Sequence, residues 1–323
     1  LAEKPNVYMI FIESYGSVLY KRPHFEQPYR DMIAAFEERI AVEGWQTTSA
    51  LSRSPTWGGG SWMAYTSALF GLPVNEQSEY LALRENYQQV PYPNMGRYFH
   101  TQGYEYVWVV PINRRLSVES EILDHNFYGA DRWITFDTLN YAGPLYGWGP
   151  SPPDQYTFGF IQEFMTGQEQ PTFLFFLTQN SHYPWIPLPP KADDWHMLSE
   201  TGEEGGTLTK EEKDQLSYQE SRQNYLNALD STFNTLGDFI TMLNDPNAVI
   251  VLIGDHQPPT VSNQDDGFST MVHIISQDDI FLESFADYDF ESGLTLNDMQ
   301  EDLAHAGFYS LFVRNFVSRY GID

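Results

Sequence analysis

Short apolar runs that end abruptly in polar residues organise the chain. Residues 6–12, Asn-Val-Tyr-Met-Ile-Phe-Ile, are almost unbroken in their apolar character and stop at Glu13-Ser14. A run this short and this uniform predicts a strand buried on both faces, the habit of parallel sheets. Residues 104–110 read the same way. So do residues 172–178, which lead into Asn180-Ser181-His182, and 248–253, which lead into Gly254-Asp255-His256. One more strand is expected over 270–275. Between these runs the apolar spacing changes to a helical period over 26–43, 61–70, 219–243 and 297–318. The 61–70 helix closes on Gly71 with Pro73 beyond it, a common way to stop a helix. Strands alternating with helices predict an α/β fold: a central, mostly parallel sheet with helices on both faces. Residues 138–155 and 186–213 are rich in Pro and Gly and read as long surface loops within one catalytic domain, 1–323. The part from about 260 onward is expected to form a small C-terminal layer.

Composition narrows the class. Hydrophobic residues make up 41% and aromatics 16%, enough for a packed core and against global disorder. Lys+Arg is 17 against Asp+Glu 44, a formal charge of −27. So acidic a chain repels a phosphate backbone, which argues against nucleic acid and against electrostatic docking on anionic lipid. Cysteine is absent, which removes disulfides, thiolate metal sites and a cysteine nucleophile. No run approaches the ~20 apolar residues that span a bilayer. The sequence begins at Leu1 rather than Met. The expectation is a processed or trimmed extracytoplasmic domain, periplasmic or cell-surface, with any signal or membrane anchor upstream.

The candidate chemistry lies at the strand ends, where open α/β sheets collect their ligands. Asp255-His256 places a carboxylate beside an imidazole, a natural metal-ligand pair. Glu13 ends an apolar run, where a carboxylate is costly unless it is exposed, paired or bound to a cation. Thr56 precedes the 61–70 helix. It reads either as an ordinary cap or as a nucleophile whose Gly58-Gly59-Gly60 neighbours let backbone approach an oxyanion. Ser54 and Ser61 are its rivals. His182 is placed to contact a substrate oxygen or move a proton. Arg114 and Arg115 are candidates for clamping an anionic group, as is Arg53 more weakly. His273 lies within a strand and reads as structural.

With these motifs in order, the chain resembles the alkaline phosphatase superfamily. Within it, the chain is most similar to the extracellular catalytic domain of lipoteichoic acid synthases and related phosphoglycerol transferases. The likeness rests on the first strand with Glu13-Ser14 and on Pro55-Thr56 ahead of Leu69-Phe70-Gly71-Leu72-Pro73. It rests equally on Ser181-His182-Tyr183-Pro184 and Ile253-Gly254-Asp255-His256. The resemblance implies one divalent metal ion, Mn2+ before Mg2+ or Zn2+, bound by Glu13, Thr56, Asp255 and His256. It also implies in-line attack by Thr56 through a phosphothreonine, with His182 near the phosphate. The implied substrate is a small-molecule or lipid head-group phosphate ester, passed to an alcohol or to water. Two features depart from those enzymes. Their Trp-Asn-Arg stretch has no counterpart at Glu119-Ser120-Glu121, although Asn113-Arg114-Arg115 lies nearby, and Trp57-Gly58-Gly59-Gly60 replaces a polar sequence. The formylglycine motif of many sulfatases is also missing. The alternatives are a phosphomonoesterase or sulfatase using the same site, and a ligand-binding domain without turnover.

Overall fold

β1 (Val7–Ile12) occupies the middle of a nine-stranded sheet in a computed structural model that describes residues 1–87, 89–113, 117–147, 149–200, 205–301 and 303–322. The other strands are β2 (Gln46–Arg53), β3 (Glu105–Val110), β4 (Arg132–Thr135), β5 (Thr172–Leu177), β6 (Val249–Gly254), β7 (Ser269–Ser276) and the two-residue β8 (Glu291–Ser292) and β9 (Leu303–Ala304). Their spatial order is β4-β3-β5-β1-β6-β7-β2-β8, with β9 also paired to β2. The five strands from β4 to β6 are parallel. β7 runs antiparallel to both β6 and β2, so β2 again points the same way as β1. The carboxyl ends of β1, β2, β5 and β6 therefore share one edge.

The unbroken apolar character of β1 follows from its position. Tyr8, Ile10 and Ile12 join one hydrophobic cluster, while Val7, Met9 and Phe11 join another on the opposite face. The first cluster is covered by the Pro23–Ala41, Asp154–Thr166 and Tyr218–Thr241 helices; the second by the Ser61–Phe70, Met95–Thr101 and His305–Tyr320 helices. A strand covered on both sides has no face left for polar residues until its end. Among the described residues, no helix is long and apolar enough to cross a membrane.

β2 is the longest strand that periodicity misses. Its sequence, Gln-Thr-Thr-Ser-Ala-Leu-Ser-Arg, is mostly polar, yet its six inner residues are buried. Its hydroxyls are satisfied by residues distant in sequence: Thr47 donates to Glu37 Oε1 at 2.9 Å, Thr48 to the Glu291 carbonyl at 3.0 Å and Ser49 to the Gly293 carbonyl at 2.6 Å. Burial is tolerable because each polar group is paired. The closing helix begins at His305 rather than 297, because the Glu291 carboxylate holds the backbone N–H groups of Asn297 and Asp298 and β9 then pairs with β2. From about 260 onward the chain supplies β7, the short strands and this helix to the same sheet and its covering layer.

The ends of β1 and β6 approach so closely that only glycine fits at 254. A methyl group there would lie 1.9 Å from the Tyr15 carbonyl oxygen. Gly254→Ala is expected to lower stability by about 1–3 kcal/mol or more, as overpacking of backbone does. A reduced denaturation midpoint with an unchanged slope would show this; an unshifted midpoint would contradict the close approach.

Candidate active site

Glu13 follows β1 directly, and Ser14 then takes a left-handed conformation, with φ 60°. Several bonds hold this strained turn. The Glu13 N–H donates to Thr178 Oγ1 at 3.1 Å, tying it to the end of β5. The Ser14 N–H donates to Asp255 Oδ1 at 2.7 Å, tying it to the end of β6, and Tyr225 donates its hydroxyl to the Ser14 carbonyl at 2.8 Å. Gln257 completes the lock: its Oε1 accepts from the Val18 N–H, and its Nε2 donates to Ser17 Oγ and the Ser269 carbonyl. The β2 end is joined to β6 through His305, whose Nε2 donates to the Gly254 carbonyl at 3.1 Å while Nδ1 accepts from Ser52 at 2.8 Å. Burial pushes the His305 pKa down to about 4, so this link stays neutral.

These locks bring Glu13, Asp255 and His256 together, with one ligand atom from each lying within 4.8 Å of the others. All three are buried, at 3%, 0% and 2% exposure. His256 Nδ1 lies 2.9 Å from the Gln257 carbonyl, which can only accept, so the hydrogen sits on Nδ1. Nε2 is thereby turned toward the two carboxylates, 3.3 Å from Asp255 Oδ2 and 3.5 Å from Glu13 Oε1. Asp255 Oδ1 accepts from the Ser14 and His256 N–H groups, whereas Oδ2 is buried with no hydrogen-bond partner. Burial, then the nearby Glu13 charge, pushes the Asp255 pKa up to about 7. Burial alone would lower the His256 pKa, but the Asp255 and Glu13 charges outweigh it and raise it. Two buried carboxylates, one with an orphaned oxygen, beside an imidazole oriented by a backbone carbonyl are the donor set of a divalent cation. The residues fit such an ion.

Two hydroxyls reach this cluster: Ser14 donates to Glu13 Oε1 at 3.0 Å within the turn, and Ser61 comes in from the helix across it. The Ser61 Oγ donates to Glu13 Oε2 at 3.1 Å and lies 3.4 Å from His256 Nε2. Ser61 is the first residue of the Ser61–Phe70 helix, where backbone N–H groups are unpaired and the helix dipole favours negative charge. Thr56, expected from the sequence as nucleophile and ligand, makes no hydrogen bond to Glu13, Asp255 or His256 among the described residues. Its hydroxyl donates instead to the Gly59 carbonyl. It thereby closes a turn in which Gly59 and Gly60 take φ of 148° and 81°, and this turn delivers Ser61 to the helix start. Ser54 donates to the Asp255 carbonyl and is likewise a strut.

His182 follows β5 on the same edge. Its Nδ1 donates to the Tyr183 carbonyl at 2.6 Å, which places the lone pair on Nε2. Burial lowers its pKa, partly opposed by the bond to the Tyr183 carbonyl; the His256 and Lys213 charges lower it further and the Asp255 charge raises it. The side chain is therefore neutral near pH 7 and in the electrical field of the cluster. The turn before it is clamped by Asp154, whose buried carboxylate accepts from the Gln179 and Asn180 N–H groups. Arg114 and Arg115 lie outside the described residues, and Arg53 is exposed at the end of β2. His273 is buried inside β7, where Tyr15 and Ser49 meet its two nitrogens. Sequence reading placed Ser61 below Thr56, whereas it is Ser61 that lies against the cluster, and it passed over Ser14, Thr178, Asp154 and Gln257. The only local signal for Ser61 was its place at the first position of a helix with a glycine before it.

A family model described as Sulfatase matches residues 6–302. No curated protein sequence matches the chain. Among solved structures, the lipoteichoic acid synthase LtaP from Listeria monocytogenes superimposes with a TM-score of 0.57 at 14% identity, covering 100% of this chain and 73% of its own. Streptococcus pyogenes phosphoglycerol transferase GacH, solved with sn-glycerol-1-phosphate, gives 0.57 at 16% identity, covering 96% and 74%. The C-terminal periplasmic domain of EptC from Escherichia coli, solved with Zn, gives 0.58 at 14% identity, covering 99% and 83%. At these identities the likeness is one of fold.

A buried, uncompensated carboxylate pair predicts opposite responses to metal and to its removal. Saturating divalent cation is expected to stabilise the wild type by about 2.7 kcal/mol at a hundredfold excess over its dissociation constant. Asp255→Asn is expected to lose that gain while matching or exceeding the wild type in chelator, since it removes one of the two repelling charges. Thermal melts with and without Mn2+ read both effects. A wild type indifferent to cation, or a variant that responds equally, would contradict the assignment.

Proposed function

The chain belongs to the Sulfatase family, and from that premise we propose that it is a metal-dependent enzyme that transfers or hydrolyses a phosphate ester through Ser61. The observation that carries this reading is the Ser61 hydroxyl, bonded to Glu13 and 3.4 Å from His256 Nε2 at a helix N-terminus. Glu13, Asp255 and His256 would hold the ion, and two carboxylates with one imidazole suit Mn2+, with Mg2+ or Zn2+ as alternatives. A divalent cation supplies a Lewis acid that favours the ionised serine hydroxyl and offsets charge gathering on the ester oxygens.

The residues then divide the work. Ser61 gives its proton to solvent as Oγ forms the new bond to phosphorus. The bond from phosphorus to the ester oxygen breaks, that oxygen taking a proton from solvent to leave as its alcohol, and a phosphoserine remains. The N-terminal N–H groups of the Ser61–Phe70 helix face the growing negative charge. His182, neutral with its lone pair on Nε2, takes the proton of the second hydroxyl as that oxygen attacks phosphorus and releases Ser61. Water as the second hydroxyl gives hydrolysis; an alcohol gives transfer. Thr56 is assigned to ordering the glycine turn.

Phosphate is preferred over sulfate because one structural neighbour, GacH, is described as a phosphoglycerol transferase in complex with sn-glycerol-1-phosphate, and because no cysteine is present to supply formylglycine. The periplasmic description of one neighbour supports an extracytoplasmic setting and a lipid or envelope head group as the substrate. The family's own description keeps sulfate esters as the second reading.

Turnover of nitrophenyl phosphodiester, phosphomonoester and sulfate tests the proposal, with Mn2+ or chelator. Ser61→Ala should lose at least about a thousandfold in kcat, as removal of a nucleophile does. Thr56→Val should lose about tenfold at most, the effect of one turn hydrogen bond worth about 1 kcal/mol. The reverse ranking would return the nucleophile to Thr56; preferred cleavage of the sulfate would select the second reading.

A further inference from the structure

Asp154, the first residue of the Asp154–Thr166 helix, is buried at 2% exposure, and no cation pairs with it among the described residues. Backbone groups hold its carboxylate instead. Oδ1 accepts from the Gln179 N–H at 2.9 Å, and Oδ2 accepts from the Asn180 N–H at 2.9 Å and from the Gln179 N–H at 3.1 Å. The contact is returned by Asn180, whose Oδ1 accepts from the Asp154 N–H at 2.6 Å. From here the backbone leads to the base. The His182 N–H donates to the Gln179 carbonyl at 3.2 Å, and the Trp185 N–H to the His182 carbonyl at 2.9 Å. One helix side chain thus fixes the turn from which His182 projects. Thr178, just before that turn, accepts from the Glu13 N–H at 3.1 Å, so the clamped segment is also in register with the carboxylate cluster.

The clamp requires a carboxylate. Both oxygens face N–H groups that can only donate, so a proton or an amide NH2 on either one would set donor against donor. The charge is costly where it lies. Burial pushes the Asp154 pKa up to about 7, against the pull of the Asn180 and Gln179 N–H groups. A buried carboxylate without a cation is a poor means of gaining stability. What it does here is hold Gln179 and Asn180 in one arrangement.

We propose that Asp154 is a positioning residue for His182, serving the step in which His182 takes the proton of the incoming hydroxyl and the bond from phosphorus to Ser61 breaks. The earlier attack by Ser61 makes no use of His182. This role rests on the ester-transfer reading above.

Asp154→Asn, compared with the wild type in Mn2+ on a nitrophenyl phosphodiester, separates the two steps. Its kcat should fall about tenfold to a hundredfold, part of what a general base supplies. Its kcat/KM, which reads the first step, should fall less than about threefold, and phosphoserine should accumulate on Ser61. Asn180→Ala removes only the return bond and should show the same split at about threefold to tenfold, which keeps the test decisive if Asp154→Asn does not fold. Hydrogen exchange of the peptide holding Gln179 to His182, read without substrate, should quicken about tenfold or more in Asp154→Asn. A joint fall of kcat and kcat/KM without phosphoserine would make Asp154 structural only and overturn the proposal. Wild-type kinetics or wild-type exchange in that variant would overturn it equally. Quickened exchange in a chain whose wild type turns over no ester would sink the ester-transfer reading and leave the clamp standing.

Discussion

The placing of two carboxylates, Glu13 and Asp255, within a few ångströms of each other and away from water is the constraint on which the rest of this structure depends. Like charges in such a place repel, and each has lost its hydration. The fold meets part of that cost with donors: Ser14 and His256 N–H groups on Asp255 Oδ1, and the Ser14 and Ser61 hydroxyls on Glu13. It leaves Asp255 Oδ2 without a hydrogen bond among the described residues, with only His256 Nε2 nearby at 3.3 Å. A cation at that point would turn the most costly feature of the molecule into a stabilising one, and would lie beside Ser61, the proposed nucleophile.

Precision at the site comes from buried polar groups placed one layer back. His305 ties β2 to β6, Gln257 ties the turn after β1 to β7, Thr178 ties Glu13 to β5, and Asp154 clamps the turn before His182. The first three join strand ends that are far apart in sequence, Asp154 joins a helix start to the turn after β5, and all four are buried. The antiparallel β7 has a particular part in this. By standing between β6 and β2 it lets β2 run parallel to β1, so the Ser54–Gly60 turn reaches the same edge as Glu13 and Asp255.

Where burial alone decides, the sequence was readable. The apolar runs of β1, β5 and β6 located those strands, and their polar ends located Glu13, His182 and Asp255-His256. β2 was not readable, because its Thr and Ser residues are made acceptable by Glu37, Glu291 and Gly293, partners that no local pattern reveals. Which of Thr56 and Ser61 lies against the carboxylates was unreadable for a related reason. Both are hydroxyls near a helix start, and only the path of the Gly58–Gly60 turn decides which one faces the carboxylates. That path depends on three positive φ angles and on the Thr56 bond to Gly59. Proline, glycine and tyrosine between 138 and 155 marked a loop but concealed Asp154, whose role appears only once residues 179 and 180 are beside it.

The central claim is that Ser61 carries the ester group during turnover. Peptide mapping by mass spectrometry of enzyme acid-quenched in the presence of Mn2+ and a phosphodiester tests it most directly. The account predicts a phosphorylated peptide with the modification on Ser61, formed only when cation is present. Phosphate found on Thr56, or sustained turnover with no covalent label on any hydroxyl of the 54–61 segment, would contradict it.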